Sequence, residues 1–128
     1  MPRVLVCGGQ NYENESFVWH VLDTLHNESP ISLLIHGACG WNADSSMQRP
    51  MTGADAWADG WAIARQVPKQ RCPASWTSLG RAAGPIRNTQ MLRHNPDLVI
   101  AFPGSRGTAD MVRKARKAGI RVIEVKEA

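Results

Sequence analysis

Short apolar runs alternate with longer segments of helical periodicity along this chain of 128 residues. The apolar runs begin at Arg3 (RVLVCG), Ile31 (ISLLIHG), Asp97 (DLVIAFPG) and Arg121 (RVIEV), with a weaker run at Val67 (VPKQRC). Between these runs, apolar residues recur at spacings of three and four, which is typical of amphipathic helices. The pattern predicts five strands separated by four helices.

The strands are apolar throughout rather than alternating, which favours a parallel sheet covered by helices on both faces. We therefore expect an α/β fold, a Rossmann-like three-layer sandwich with a five-stranded parallel sheet in the order 3-2-1-4-5. At 43% hydrophobic residues, residues 1–128 suit a single domain. Ligands of such sheets bind beyond the carboxyl ends of the strands. The candidate segments are therefore GGQN, HGACG, PASW and PGSRGT, which follow the first four strands.

Residues 38–53 (ACGWNADSSMQRPMTG) interrupt this rhythm between the second strand and the second helix. The segment is rich in turn-forming residues and has no periodicity, so it is interpreted as a long inserted loop that carries Trp41. Long loops in compact domains are often functional lids or flexible segments.

The chain is mildly basic, with a formal net charge of +4. We interpret the basic cluster in its last quarter as a solvated helix face, with contact to nucleic acid or to an anionic small molecule as the alternative. Nucleic-acid binding ranks lowest, because few aromatic residues lie near that helix. The cluster comprises Arg106, Arg113, Lys114, Arg116, Lys117, Arg121 and Lys126.

Cysteine usage indicates a reducing compartment. Cys7, Cys39 and Cys72 form no CxxC pair, so neither a disulfide framework nor a structural metal is indicated. No apolar stretch has the length of a signal peptide or a membrane span. We expect a cytoplasmic protein with no metal, no cofactor and no membrane contact.

The segment PGSRGT predicts a phosphate site at the start of a helix. Gly104 and Gly107 bracket a turn, and Thr108 is the predicted N-cap. The free backbone N–H groups of a helix start and its dipole suit an anion. Arg106 either reaches a second phosphate or is a solvent-exposed loop residue. The predicted ligand contacts here are Pro103, Gly104, Ser105, Arg106, Gly107 and Thr108.

Residues after the first two strands are further candidates. Gly8 and Gly9 lack the full GxGxxG spacing, so they indicate either a tight turn or close approach of a ligand. Asn11 and Tyr12 are expected at the rim of the pocket. His36 and Gly37 end the second strand and are expected near the crevice, although a lone histidine is more often structural. The list of predicted contacts includes Gly8, Gly9, Asn11, Tyr12, His36 and Gly37.

Two helices carry the remaining candidates. Arg87, beside Asn88, is a predicted fork for phosphate or carboxylate, with a surface ion pair as the alternative. Asp55 and Asp59 share a helix face, and Asp55 also suits the helix N-terminus by its charge alone. Trp57 and Trp61 share that face too, and such a pair indicates either a core contact or a subunit interface, of which we prefer the interface.

Four segments, VLVCGG, GADAWADGWA, AGPIRNTQML and IAFPGSRGTADMV, together resemble the SLOG superfamily, which includes the Smf/DprA and LOG proteins. The chain is most similar to the branch related to YspA and YpsA, whose members are often encoded by phages or plasmids. It departs from that branch where HGACG and GAD, usually joined in one short stretch, are separated by the inserted loop.

The resemblance implies a nucleotide or nucleotide-derived ligand, held by the first glycine loop and by the PGSRGT loop. In the LOG enzymes, a glutamate and an upstream arginine support cleavage of an N-glycosidic bond. Arg87 aligns with that arginine, but Met111 occupies the glutamate position. Asp110 lies one residue earlier, turned by about 100° around the helix.

We therefore expect first a protein that binds, senses or sequesters a nucleotide-derived molecule, such as an ADP-ribose-like or cyclic nucleotide signal. The alternative is a LOG-like phosphoribohydrolase acting on a nucleoside monophosphate or nucleotide derivative. Its candidate catalytic residues are Arg87, Asp110 and Asp55. We also expect a homodimer or a higher homo-oligomer, because of the Trp57 and Trp61 pair and because the resemblance to LOG-like proteins implies a dimer.

Overall fold

The computed structural model describes residues 2–127. All strand pairings are parallel, and the order is β3-β2-β1-β4-β5. This order confirms the predicted sheet. Residues 1 and 128 of the predicted domain lie outside the described residues. The strands are β1 (Arg3–Cys7), β2 (Leu33–His36), β3 (Lys69–Arg71), β4 (Leu98–Ala101) and β5 (Arg121–Glu124).

Helices cover both faces of the sheet. The four predicted helices are present, and a short helix that the sequence pattern did not indicate, α3, precedes the third of them. A 3-10 turn at Gly80–Ala82 joins it to α4. The helices are α1 (Glu15–Glu28), α2 (Gly53–Arg65), α3 (Trp76–Leu79), α4 (Ala83–Leu92) and α5 (Arg106–Lys117). In the part of the chain that the structure describes, no helix is long and apolar enough to cross a membrane.

The core has two layers, one under α1 and α2 and the other under α4 and α5. Trp61 lies in the first layer, is 0% exposed, and donates its indole N–H to Asp23 at 2.8 Å. Trp57 is half-buried and donates to the carbonyl of Tyr12 at 2.7 Å. The interpretation of this pair as a subunit interface is therefore wrong, because α2 turns that face towards α1 and the sheet.

Helix α5 begins earlier than predicted. Its N-cap is Ser105, so Thr108 lies inside the first turn and is not the cap. The first turn closes on Ser105 because the carbonyl there accepts the N–H of Ala109 at 3.0 Å. The predicted end is confirmed: Gly119 has a φ of +78° and donates its N–H to Arg116 at 3.0 Å. Glycine adopts this conformation readily and commonly follows a helix.

Candidate functional site

A cavity of about 380 Å³ opens beyond the carboxyl ends of the strands. The chain order reverses here, since β1 lies between β2 and β4. Ligands of open α/β sheets bind at such switch points, and pockets of about 300–1,000 Å³ hold small molecules. The cavity therefore lies where the strand order predicts a ligand, and its volume is at the small end of that range.

The first glycine loop is packed tightly against the loop that precedes α5. Gly9 donates its N–H to the carbonyl of Pro103 at 2.9 Å. A Cβ atom at Gly9 would lie 3.0 Å from the same oxygen, which is closer than about nine in ten real Cβ contacts, so this oxygen would have to move. Gly8 and Gly9 both line the cavity, but the N–H of Gly9 is already used inside the protein. These glycines allow two loops to approach each other closely.

The start of α5 presents unpaired backbone donors to the cavity. Arg106, Gly107 and Thr108 donate no backbone hydrogen bond to any residue between 2 and 127, and the side chain of Ser105 does not cap the helix. Residues 105–108 all line the cavity. Free N–H groups and the positive end of the helix dipole together favour a bound anion.

Arg87 of α4 is half-buried in the same cavity. Its Nε donates to Asn88 at 3.1 Å, and its Nη1 donates to the carbonyl of Gly37. A Cβ atom at Gly37 would lie 2.5 Å from Nη1, so only glycine admits the guanidinium here. Nη2 donates to no group within residues 2–127 and is available to a ligand.

Asn88 fixes α4 relative to the start of α5. The side chain is buried, and its Nδ2 donates to the carbonyl of Gly107 and to Asp110, both at 3.1 Å. Its Oδ1 accepts the bond from Arg87. The amide of Asn88 therefore joins the guanidinium of Arg87 to the start of α5.

Two carboxylates line the cavity, and their environments differ. Asp55 is buried and accepts the N–H of Cys39 at 3.2 Å. Burial raises the pKa of Asp55, and the nearby His36 and Arg87 oppose this rise only in part. Burial also acts to raise the pKa of Asp110, but bonds from Lys114 and Asn88 leave it below its ordinary value.

Asp110 is also engaged in ion pairs on its own helix. Its carboxylate oxygens lie 2.8 Å from Arg113 and 2.9 Å from Lys114. Asp110 is therefore paired with two cations, whereas Asp55 is a buried carboxyl group whose pKa is raised.

His36, a predicted ligand contact, is buried and does not line the cavity. Its side chain is 0% exposed; Nε2 lies 2.8 Å from Asp59, and Nδ1 accepts the N–H of Ala38 at 3.0 Å. Asp59 also forms a bidentate ion pair with Arg71, whose Nε and Nη2 each donate to a carboxylate oxygen at 2.9 Å. The partner that encloses His36 is 23 residues away in sequence, on α2.

Four other predicted contacts lie outside the cavity lining. Asn11 is exposed, and Tyr12 donates its hydroxyl to Glu127 while its ring lies 5.9 Å from that of Phe102. Pro103 and Gly104 line a smaller cavity of about 220 Å³ on the other side of their loop. The predicted residues that the structure brings together in the larger cavity are Gly8, Gly9, Gly37, Asp55, Arg87, Asn88, Ser105, Arg106, Gly107, Thr108 and Asp110.

Three lining residues that were not named as contacts, Gln10, Cys39 and Trp76, lie in the candidate segments GGQN, HGACG and PASW. Gly84 also lines the cavity and lies outside those segments. Trp76 ends the candidate segment PASW, so its position after a strand was a usable signal. The helix that it begins has only four residues, which is too short for periodicity to reveal.

The inserted loop is ordered by contacts with α3. Asn42 accepts the N–H of Trp76 at 3.1 Å and donates to the hydroxyl of Thr77 at 2.9 Å. Asp44 accepts the N–H of Ser78 at 2.8 Å. Because Ser75 provides no side-chain cap, the loop supplies the acceptors that the first turn of α3 requires.

Fold and cavity together define a Rossmann-like protein with a cavity at the switch point of its sheet, lined by the start of α5 and by Arg87. The chain belongs to the YspA, cpYpsA-related SLOG family, whose family model matches residues 2–78. It is similar to the Gene 61 protein of Mycobacterium phage D29, with 34% identity over 131 residues that cover 96% of this chain and 95% of that protein. Arg87 and α5 lie beyond the residues that the family model matches, but the similarity to the phage protein extends over nearly the whole chain.

Proposed function

We propose that this protein binds a nucleotide-derived small molecule in the cavity and does not cleave it. The observation that carries the proposal is the convergence of the unpaired N–H groups at the start of α5 with the free Nη2 of Arg87. Three N–H donors and a guanidinium match the oxygens of a phosphate group. Family membership is consistent with a nucleotide-related ligand.

The absence of a carboxylate at the LOG glutamate position supports binding over hydrolysis. Met111 is 0% exposed and packs in the core beneath α5, so it offers no group to a ligand. An oxocarbenium-like transition state needs a nearby carboxylate. Asp110, the adjacent residue, is already paired with Arg113 and Lys114.

A phosphoribohydrolase is the second candidate, and the position of Asp55 favours it. In this reaction, the bond between C1′ and the base nitrogen breaks, while water delivers its hydroxyl to C1′ and a proton to the base. Asp55 lines the cavity, and its raised pKa suits a proton donor to the leaving base. Arg87 would hold the phosphate in both candidate functions.

Two measurements on the purified protein test the proposal. Mass spectrometry of molecules released by heat is expected to show an intact phosphate-bearing nucleotide derivative. After long incubation with AMP, chromatography is expected to return AMP unchanged. Accumulation of adenine and ribose 5-phosphate would replace the first candidate with the second. Asp55→Asn would then abolish turnover while keeping affinity, and Asp110→Asn is the matched control.

We also propose a cytoplasmic location for the protein. Cys7, Cys39 and Cys72 are all free thiols. Free thiols are the usual state of cysteine in a reducing compartment.

A further inference from the structure

We infer that Trp76 is the residue on which the base of the ligand stacks, so that the site selects nucleotides over sugar phosphates. This inference rests on the proposed function and names its ligand class more narrowly. The indole lines the same cavity as the start of α5 and Arg87, yet it is 44% exposed. A large aromatic ring left open beside an anion site suits a ligand that carries both a planar ring and a phosphate.

The other tryptophans each form a hydrogen bond or a cation–π contact within the protein. Trp19, Trp57 and Trp61 each donate the indole N–H to a protein acceptor. The ring of Trp41 lies 5.0 Å from the guanidinium of Arg71. Within residues 2–127, Trp76 alone has neither a hydrogen bond from its indole nor a ring contact of this kind.

The position of the Trp76 ring is defined from two sides. A Cβ atom at Gly84 would lie 3.4 Å from Cη2 of Trp76, so the edge of the indole rests against α4 where no side chain intervenes. The backbone of Trp76 is held by Asn42 of the inserted loop at 3.1 Å. A ring fixed in this way loses little conformational freedom when a base stacks on it.

The cavity volume also favours a single base. At about 380 Å³, the cavity is near the small end of the range for ligand pockets. We therefore assign a mononucleotide, with its base on Trp76 and its phosphate at the start of α5. Stacking is tolerant of base identity because every base presents a π-face.

The test compares ligands with and without a base. Affinities of AMP, GMP, CMP and UMP, and of ribose 5-phosphate, are measured by calorimetry for the wild type, Trp76→Ala and Trp76→Phe. Trp76→Ala is expected to weaken binding of the best nucleotide about tenfold. It is expected to leave ribose 5-phosphate within about twofold, while Trp76→Phe keeps most of the nucleotide affinity. Leu79→Ala is the matched control, because Leu79 is 42% exposed on the same short helix and does not line the cavity.

Each alternative outcome overturns a specific statement. Equal weakening of nucleotide and ribose 5-phosphate by Trp76→Ala would mean that the ring only shapes the pocket. Unchanged nucleotide affinity would remove Trp76 from the site while leaving the proposed function intact. If the wild type binds none of these probes, the assignment of a mononucleotide is overturned, whereas the proposed function is overturned only if heat also releases no nucleotide derivative.

Discussion

The guanidinium of Arg87 is held in place by hydrogen bonds from Nε and Nη1 and, among residues 2–127, keeps a third nitrogen, Nη2, free to donate. Asn88 and Gly37 hold Nε and Nη1, and Nη2 remains open to the cavity. In the proposed function, an arginine held in this way would bind a phosphate without losing further side-chain freedom, because its geometry is set before a ligand binds.

Replacement of Arg87 is predicted to weaken ligand binding strongly. Arg87→Ala removes a charged hydrogen-bond donor, so AMP affinity measured by calorimetry is expected to fall by about 1.5–3 kcal/mol. Arg93→Ala is the matched control, because Arg93 is exposed at the other end of α4 and does not line the cavity. Equal AMP affinities of wild type and Arg87→Ala would place the phosphate elsewhere.

Asp59 stabilises the fold by joining His36 to Arg71 beneath the site. Burial of Asp59 acts to raise its pKa, but the bonds from His36 and Arg71 leave the pKa well below its ordinary value. A lowered pKa means that the stabilisation is complete above the unfolded value of about 4 and is lost as the pH falls.

Asp59→Asn is accordingly predicted to lower the free energy of unfolding by about 2 kcal/mol at pH 7. In urea denaturation, the difference in the free energy of unfolding between wild type and variant is expected to narrow at pH 3, because the Asp59 carboxylate of the unfolded chain is then largely protonated. Glu124→Gln serves as the control, since its pair with Arg116 is exposed and contributes little. A difference in the free energy of unfolding that stays constant or increases at pH 3 would contradict this role of Asp59.

At the residue scale, the local sequence predicted which residues line the cavity where backbone geometry alone determines this. It did not predict the environment of a side chain whose partner lies far away in sequence. Gly9 and Gly37 followed from their position after strands, and both line the cavity. His36 also lies at the end of a strand, but its side chain is hydrogen-bonded to Asp59 of α2 and is buried. A single sequence does not reveal which side chain covers a residue at the end of a strand.

At the scale of elements, α3 depends on the inserted loop for its capping. Asn42 and Asp44 accept the N–H groups of Trp76 and Ser78, and a four-residue helix has little stability of its own. The loop therefore sets where α3 lies and, through α3, the position of the Trp76 ring.

Asn42→Ala is predicted to affect base-bearing ligands selectively. Losing a cap acceptor destabilises a helix start by about 1 kcal/mol, so α3 becomes less ordered. Calorimetry is expected to show weaker AMP binding, by less than the loss in Trp76→Ala, with ribose 5-phosphate unchanged. Ser46→Ala, at an exposed position of the same loop, is the matched control. Parallel losses for both ligands would show that the loop supports the whole cavity and not α3 in particular.

Element boundaries were predictable only where a strong local signal exists. Gly119 ended α5 as predicted, because a positive φ is a local property of the chain. The start of α5 was placed at Thr108 instead of Ser105, since both residue types cap helices and the choice depends on how the loop packs against Gly9.

At the scale of the whole molecule, the sheet and its order followed from the continuous apolar runs. Strands such as Leu33–His36 and Leu98–Ala101 are buried on both faces, and only a parallel sheet between helix layers buries them so. The positions of the loops around the cavity follow from that order. The detailed lining does not, because α3 and the inserted loop have no periodic pattern.

The homodimer stays a prediction, and it now depends on the resemblance to LOG-like proteins alone, because Trp61 is buried within the chain. Light scattering is expected to give twice the chain mass of 14.1 kDa. Persistence of the single-chain mass at high protein concentration would refute the dimer. Trp57→Phe is predicted to leave the mass unchanged, since Trp57 packs against α1 and Tyr12.

The inserted loop is closed at its base, where Thr52 donates its N–H to the carbonyl of Cys39 at 2.9 Å. Its two ends therefore already meet, and a change of length between them leaves β2 and α2 where they are. An insertion or exchange between Cys39 and Thr52 would therefore move α3, and with it the Trp76 ring on which we propose that the base stacks, without a compensating change in the core.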